Sequence, residues 1–247
     1  MAAAPLREAP NLTAIPINQL AVSGNACGPA ALLNALRFGD ANWQRAVTTL
    51  AGETDRDRLL TVIRTWGMRP SKSLTGRNRW SRHGVNVDDL CDIANELTQS
   101  QWLPRMKCEV LLALPGESSS KLLARVHHRL NASLKRELPP IISIRRIVKR
   151  AGAWEVLQGH YVTIIGLPTQ LEKNATGFPV SYIDPWGGQR CAGRLVISSR
   201  AFVTDQAGTP TASPCLEADF PLAEVGKKLA KSKESTLLTL AAGIGKW

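Results

Sequence analysis

The chain is 247 residues long, 44% hydrophobic and 5% aromatic, with a formal net charge of +11. That length supports one substantial core and a single domain spanning residues 1–247. No run reaches the roughly 18 apolar residues of a membrane span, and the scarcity of aromatics with no nucleic-acid motif disfavours a base-stacking platform.

The opening Met1-Ala2-Ala3-Ala4-Pro5 has no charged-then-apolar export pattern. Localisation stays open between an exported (periplasmic or extracellular) protein whose signal has been removed and a cytoplasmic one. The stretch that organises the chain is Gly24-Asn25-Ala26-Cys27-Gly28-Pro29-Ala30-Ala31-Leu32-Leu33-Asn34-Ala35-Leu36. Gly24 and Asn25 punctuate a loop. Pro29 suits the first turn of a helix, where a missing N–H costs nothing. The alanines and leucines that follow predict a buried helix. Its free N–H groups and the positive end of its dipole would face Cys27 and favour the thiolate, the form that attacks carbonyl carbon. The plainer reading makes Cys27 a small buried hydrophobe at a helix start.

Asn42 to Leu50 and Asp55 to Trp66 predict two more helices, the second opened by Thr54 or Asp55. Gly67 to Gly84 is a long, basic loop, and such loops are commonly functional or disordered. Within it Arg79, Trp80 and His83 are candidates for the rim of a cleft, and His83 is the one rival base. Asn86 to Thr98 predicts a helix capped by Asn86. Lys107 to Leu114 alternates as a strand, and Ser118 or Ser119 caps a helix to about Leu134. His127 and His128, adjacent on that helix, face different directions and make poor joint metal ligands.

From Pro140 the character becomes β. Ile141 to Ile144 predicts a short strand, Arg145 to Gly152 a basic hairpin connection and Trp154 to Gly166 a strand entered through Gly159-His160-Tyr161-Val162. Pro179 to Asp184 is a further strand, and Pro185 biases Asp184 toward extended backbone. Arg194 to Ser198 is another, and Lys227 to Leu240 predicts a basic amphipathic helix with too short an apolar face for a membrane anchor. Helices first and antiparallel strands after imply an α+β fold. The predicted helical part runs from about 19 to 135, the β part from about 139 to 220 and a C-terminal extension from about 221 to 247.

Five cysteines are an odd number. With Cys27 set aside, Cys91, Cys108, Cys191 and Cys215 allow two bridges (Cys91–Cys108 and Cys191–Cys215) in an oxidising compartment, or four free thiols. No pair has zinc-like spacing, so neither a metal nor a cofactor is expected. The positive charge gathers at Arg77/Arg79/Arg82, Arg145/Arg146/Lys149/Arg150 and Lys227/Lys228/Lys231/Lys233. It reads as a solvated basic surface or as attraction to an anionic partner: an acidic peptide, an anionic cell-wall polymer or nucleic acid.

A cysteine on a helix, a histidine on a strand about 130 positions later and an acid ending the next strand form the pattern of a nucleophile, base and orienting group. The segments Cys27-Gly28-Pro29-Ala30-Ala31-Leu32, Gly159-His160-Tyr161-Val162 and Tyr182-Ile183-Asp184-Pro185 resemble the bacteriocin-processing (double-glycine leader) peptidases of bacteria, a branch of the papain-like cysteine peptidases. The resemblance implies a papain-like fold, with an N-terminal helical lobe carrying Cys27 and a C-terminal antiparallel β lobe carrying His160 and Asp184. It implies that Cys27 is the nucleophile, His160 the base and Asp184 its orienting partner. It also implies an oxyanion-hole glutamine, for which Gln19 is the candidate. Gln19 lies a little further upstream than the family spacing, so the loop Ala21 to Ala26 must bulge. Trp186-Gly187 resembles the Trp-Gly that follows the orienting residue in such enzymes, and places an indole near the His160–Asp184 pair.

The expected activity is hydrolysis of peptide bonds through an acyl-thioester, with a peptide or protein as partner. Acyl transfer of the transglutaminase kind uses the same three residues. A non-catalytic peptide-binding module is the alternative outside enzyme chemistry.

Overall fold

The structure is a computed structural model that describes residues 5–150, 153–200, 202–206 and 209–247, with backbone alone for 202–206 and 209–212. The opening Met1 to Ala4 and the Gly152 end of the expected hairpin connection lie outside the described residues. Five α-helices form largely where local signals place them: α1 Cys27–Phe38, α2 Ala41–Thr48, α3 Asp55–Val62, α4 Val87–Gln99 and α5 Ser119–Lys135. Four have a side-chain N-cap, from Asp40, Thr54, Asn86 and Ser118. At α3 a capping box forms, the Thr54 hydroxyl and the Asp57 carboxylate each bonding the other residue's backbone N–H.

The strands are β1 Leu6–Glu8, β2 Trp80–Ser81, β3 Gly84–Val85, β4 Lys107–Val110, β5 Ile141–Arg150, β6 Ala153–Pro168, β7 Gly177–Asp184, β8 Gln189–Ile197, β9 Phe202–Gln206, β10 Thr209–Ser213, β11 Leu216–Asp219 and β12 Thr236–Gly245. Pairing runs β6-β5-β12-β11-β8-β7, and β7 pairs again with β6. Six antiparallel strands therefore close into a barrel, with β1 added beside β6 and β4 beside β12.

This architecture corrects the expected papain-like α+β fold with a helical lobe. The chain is 30% helical and 31% strand, and its organising unit is the closed barrel. Closure comes from the segment read as a C-terminal helix. Lys227–Leu229 makes only a 3-10 turn, and Thr236–Gly245 is β12, lying between β5 and β11. Leu237, Leu238, Leu240, Ala241, Ala242 and Ile244 are all buried. A strand covered on both faces loses the period-2 alternation and reads like a buried helix. The expected hairpin connection from Arg145 is likewise the outer half of β5, paired through Arg150 with Ala153.

Two cores share the barrel wall. Ile142, Ile144, Val162 and Ile164 pack with α5 and strands β7, β8 and β11, whereas their neighbours Ile141 and Tyr161 pack with α1, α2, α3 and α4. Full burial of each such side chain contributes about 1.5–3 kcal/mol. Helix α1 is fastened directly to the barrel, because the Thr163 hydroxyl donates to the Ala31 carbonyl at 2.8 Å. That contact sets the start of α1 against the His160 end of β6.

Candidate active site

Cys27 is the first residue of α1, buried to 3% exposure. No side chain caps this helix: its N-cap is Ala26. The first-turn N–H groups are thus left to point at whatever occupies the space before Cys27. Gly28 permits the close fit, because a Cβ there would stand 2.4 Å from Val85 Cγ1. The preceding loop is clasped by the β2–β3 hairpin. The Asn25 N–H donates to the Arg82 carbonyl at 3.1 Å, and the Trp80 indole Nε1 donates to the Asn25 carbonyl at 3.1 Å. Gly24, with φ +94°, turns the chain beneath that indole.

His160 stands on β6, opposite Ile144 of β5, and Asp184 ends β7. Both are buried, and His160 Nε2 lies 2.7 Å from Asp184 Oδ1. The same Oδ1 accepts the Trp186 backbone N–H at 2.8 Å, so two donors hold the carboxylate in place. With Nε2 engaged, Nδ1 is the nitrogen left for the Cys27 thiol, which lies close enough to the ring to raise it. Burial by itself pushes His160 down. The hydrogen bonds to Asp184 and Cys27, with their charges, overcome it and raise the imidazole to about 9. An imidazole raised in this way stays protonated at neutral pH, the partner a thiolate needs.

Gln19 reaches the same place from the other side. It opens a 3-10 turn, Gln19–Ala21, capped by Asn18, and its N–H donates to the Pro185 carbonyl at 2.9 Å. Asn18 Oδ1 accepts the Gly187 N–H at 3.2 Å, so the turn after Asp184 and the strand-like approach to Gln19 hold each other. The Gln19 side chain is 3% exposed, and its Oε1 has no partner among the described residues. Its Nε2 makes no hydrogen bond there either, which leaves a donor for a guest in the cavity. The extra length between Gln19 and Cys27 is taken up by the 3-10 turn and the left-handed Gly24.

Two cavities share His160 in their walls. One of about 210 Å3 is lined by Gln19, Asp184, Trp186 and the loop Glu224 to Leu229. The other, of about 350 Å3, is lined by Cys27, His83, Arg145 and Tyr161. Asn25 and Gln158 line both. Neither Asn25, Gln158 nor the loop from Glu224 was distinguishable in the sequence, because no motif marks them. Gln158 holds that loop, its Oε1 accepting the Gly226 N–H at 2.7 Å.

The remaining candidates separate. His83 is exposed on the β2–β3 turn and lines the larger cavity, and among the described residues its side chain forms no hydrogen bond with Cys27. Trp80 buttresses the Asn25 loop from behind. Arg79 is turned away from the cavities: it is buried and forms a bidentate pair with Glu96, both bonds 2.8 Å. The cleft expectation for Arg79 is corrected accordingly, since a guanidinium so desolvated needs a fixed carboxylate. Trp186 lines the smaller cavity but is half exposed, and it is its backbone that touches Asp184. Trp186→Ala is therefore expected to raise KM by roughly three- to tenfold through lost apolar contact, with the alkaline limb of the rate–pH profile unmoved. A displaced limb would give the indole a shielding role over the ion pair.

All five cysteines are free. Cys91 is pushed up to about 12, first by burial and then by the neighbouring Cys108; Cys108, Cys191 and Cys215 are raised chiefly by burial as well. Among the described residues no group of three or more His, Cys, Asp or Glu side chains could hold a metal ion, and no helix is long and apolar enough to cross a membrane.

No known family model, curated protein or solved structure matches this chain.

Proposed function

We propose that the protein is a cysteine hydrolase that cleaves peptide bonds through an acyl-thioester on Cys27. The observation that carries the reading is the convergence in one cleft of a helix-start thiol, a buried imidazole lining the same cavity and a carboxylate 2.7 Å from that imidazole's Nε2. The likeness to the double-glycine peptidases supports the chemistry of these three residues, not the fold.

In the proposed reaction the thiol proton already resides on His160 Nδ1, as its raised imidazole requires, and Cys27 Sγ adds to the scissile carbonyl carbon. The resulting oxyanion lies before the start of α1, where the Cys27 N–H and Gln19 Nε2 are the available donors. Collapse breaks the C–N bond, and the His160 imidazolium protonates the departing amine. Water then attacks the thioester, giving a proton to His160, and collapse breaks the C–S bond, releasing the acid and returning Cys27 Sγ to its place beside the His160 imidazolium.

Gln19→Ala removes one oxyanion donor and is expected to lower kcat by about 10²–10³ with little change in KM. An unchanged kcat would take Gln19 out of the chemistry. The reading as a whole is tested by following cleavage of a defined peptide pool by mass spectrometry, with and without a primary amine. Products carrying a free carboxylate support hydrolysis; amine adducts in their place would support acyl transfer. Intact peptides under both conditions, with Cys27 unreactive, would support the binding-module alternative.

A further inference from the structure

The sequence carries strong positive charge that the catalytic residues do not use, and the fold brings part of it to the two cavities. Arg145, on β5, lines the larger cavity beside Cys27. Lys228, on the loop between β11 and β12, lines the smaller one beyond His160 and Asp184. Both side chains are exposed, and among the described residues neither forms an ion pair. Carboxylates on these walls are already committed. Asp184 is held by His160 and by the Trp186 N–H, and Glu224 is paired with Lys227 at 2.8 Å. No acidic side chain lines the larger cavity. Each flank of the thiol therefore presents an exposed cation outside any ion pair, Lys228 within electrostatic reach of Glu224, in a concave site whose walls concentrate the field.

The loop carrying Lys228 is anchored for such a role. Gly226 takes the left-handed conformation, φ +65°, its N–H bonded to Gln158, and the Arg146 guanidinium donates to the Val225 carbonyl. These bonds fix the base of the loop to β5 and β6, so that Lys228 keeps a set position relative to His160. The loop hangs from the same two strands that carry Arg145 and His160.

We infer that the substrate is an acidic peptide, with Arg145 and Lys228 reading carboxylates on opposite sides of the scissile bond. This rests on the hydrolase reading above and adds the substrate class to it. A chain passing His160 would lie with one flank in each cavity. The cations would raise its local concentration and hold its register, through charge more than through packing. Arg145 and Lys228 are specificity residues in this account and take no part in bond making.

The test uses two thiol reagents of similar shape, the anionic iodoacetate and the neutral iodoacetamide, on the full-length protein. Alkylation of Cys27 is followed by peptide mapping and compared with N-acetylcysteine amide. The iodoacetate-to-iodoacetamide rate ratio at Cys27 is expected to exceed that of the free thiol by about tenfold. It should fall by at least about threefold in R145Q/K228Q, and fall also as salt rises from 0.05 to about 0.5 M, where the Debye length is short. A ratio that the double variant and salt leave unchanged overturns the acidic-substrate inference while the hydrolase reading stands. Iodoacetamide that alkylates Cys27 no faster than the free thiol overturns the hydrolase reading and the inference together. In a second arm, peptides differing by Glu for Gln on both sides of the cleaved bond should differ in kcat/KM by roughly tenfold or more, and R145E/K228E should reverse that preference. Equal kcat/KM for the two peptides in the wild type would also overturn it.

Discussion

Cys27→Ala is expected to abolish peptide cleavage, lowering kcat by roughly a millionfold as removal of a catalytic nucleophile does elsewhere. The fold should survive. Cys27 is a small residue at the start of α1, its neighbour Ala26 is already an alanine with no exposure, and no bond to another cysteine is lost. The cost in stability is about 1 kcal/mol, the usual scale for deleting a small buried group. Circular dichroism and a thermal melt separate the two effects. Residual turnover above about a thousandth of the wild type would remove Cys27 from the reaction.

The second large effect concerns Asp184. The carboxylate gives His160 a negative partner at 2.7 Å and shares that oxygen with the Trp186 N–H. Asp184→Asn keeps an acceptor of the same shape for both donors but removes the charge. His160, raised to about 9 by Asp184 and Cys27 against the pull of burial, should then titrate lower. Because the imidazolium is the form that protonates the leaving amine, wild-type turnover should fall as pH rises through about 9. In Asp184→Asn that alkaline limb should move down by at least about one pH unit, since a buried imidazolium without its carboxylate loses its main support. At neutral pH kcat should drop by about 10²–10⁴, the upper end being the loss seen when a buried orienting Asp becomes Asn. The same ionisation bears on stability. A histidine raised by folding contributes stability that is fully present below its ordinary value and is lost as pH rises through about 9. Asp184→Asn should therefore melt lower than the wild type at pH 6 and approach it above pH 9. A limb that stays put in the variant would mean that Asp184 does not govern His160.

How much of this was legible in the chain depends on range. The Cys27 helix start, the His160 strand and the Asp184 strand end each leave a local signature: proline and alanines after the cysteine, a β-branched run after the histidine, a proline after the acid. The helix caps at Thr54, Asn86 and Ser118 are equally local. The closed barrel has no local signature. It depends on β12 entering between β5 and β11, and β12 is apolar on both faces, so its residues alternate in neither the strand nor the helix period. The lysines before it drew the reading toward an amphipathic helix, whereas they sit on the loop that walls the smaller cavity. The loop from Gly67 to Gly84 was visible as a long basic connection. Its use as a clasp on Asn25, and the removal of Arg79 into a pair with Glu96, follow from contacts far apart in sequence. Gln19 was placed by resemblance, and the structure supplies the physical means, a 3-10 turn and Gly24, by which it can reach the cavity.

The central claim is that one of five thiols is the nucleophile and that the fold has singled it out. The direct measurement is to treat the native protein with a peptide vinyl sulfone at neutral pH, count the equivalents bound by intact mass, and map the adduct. The account predicts one equivalent, on Cys27, with Cys91, Cys108, Cys191 and Cys215 unmodified until the protein is unfolded. An adduct on any of those four in the folded protein, with Cys27 left free, would contradict it.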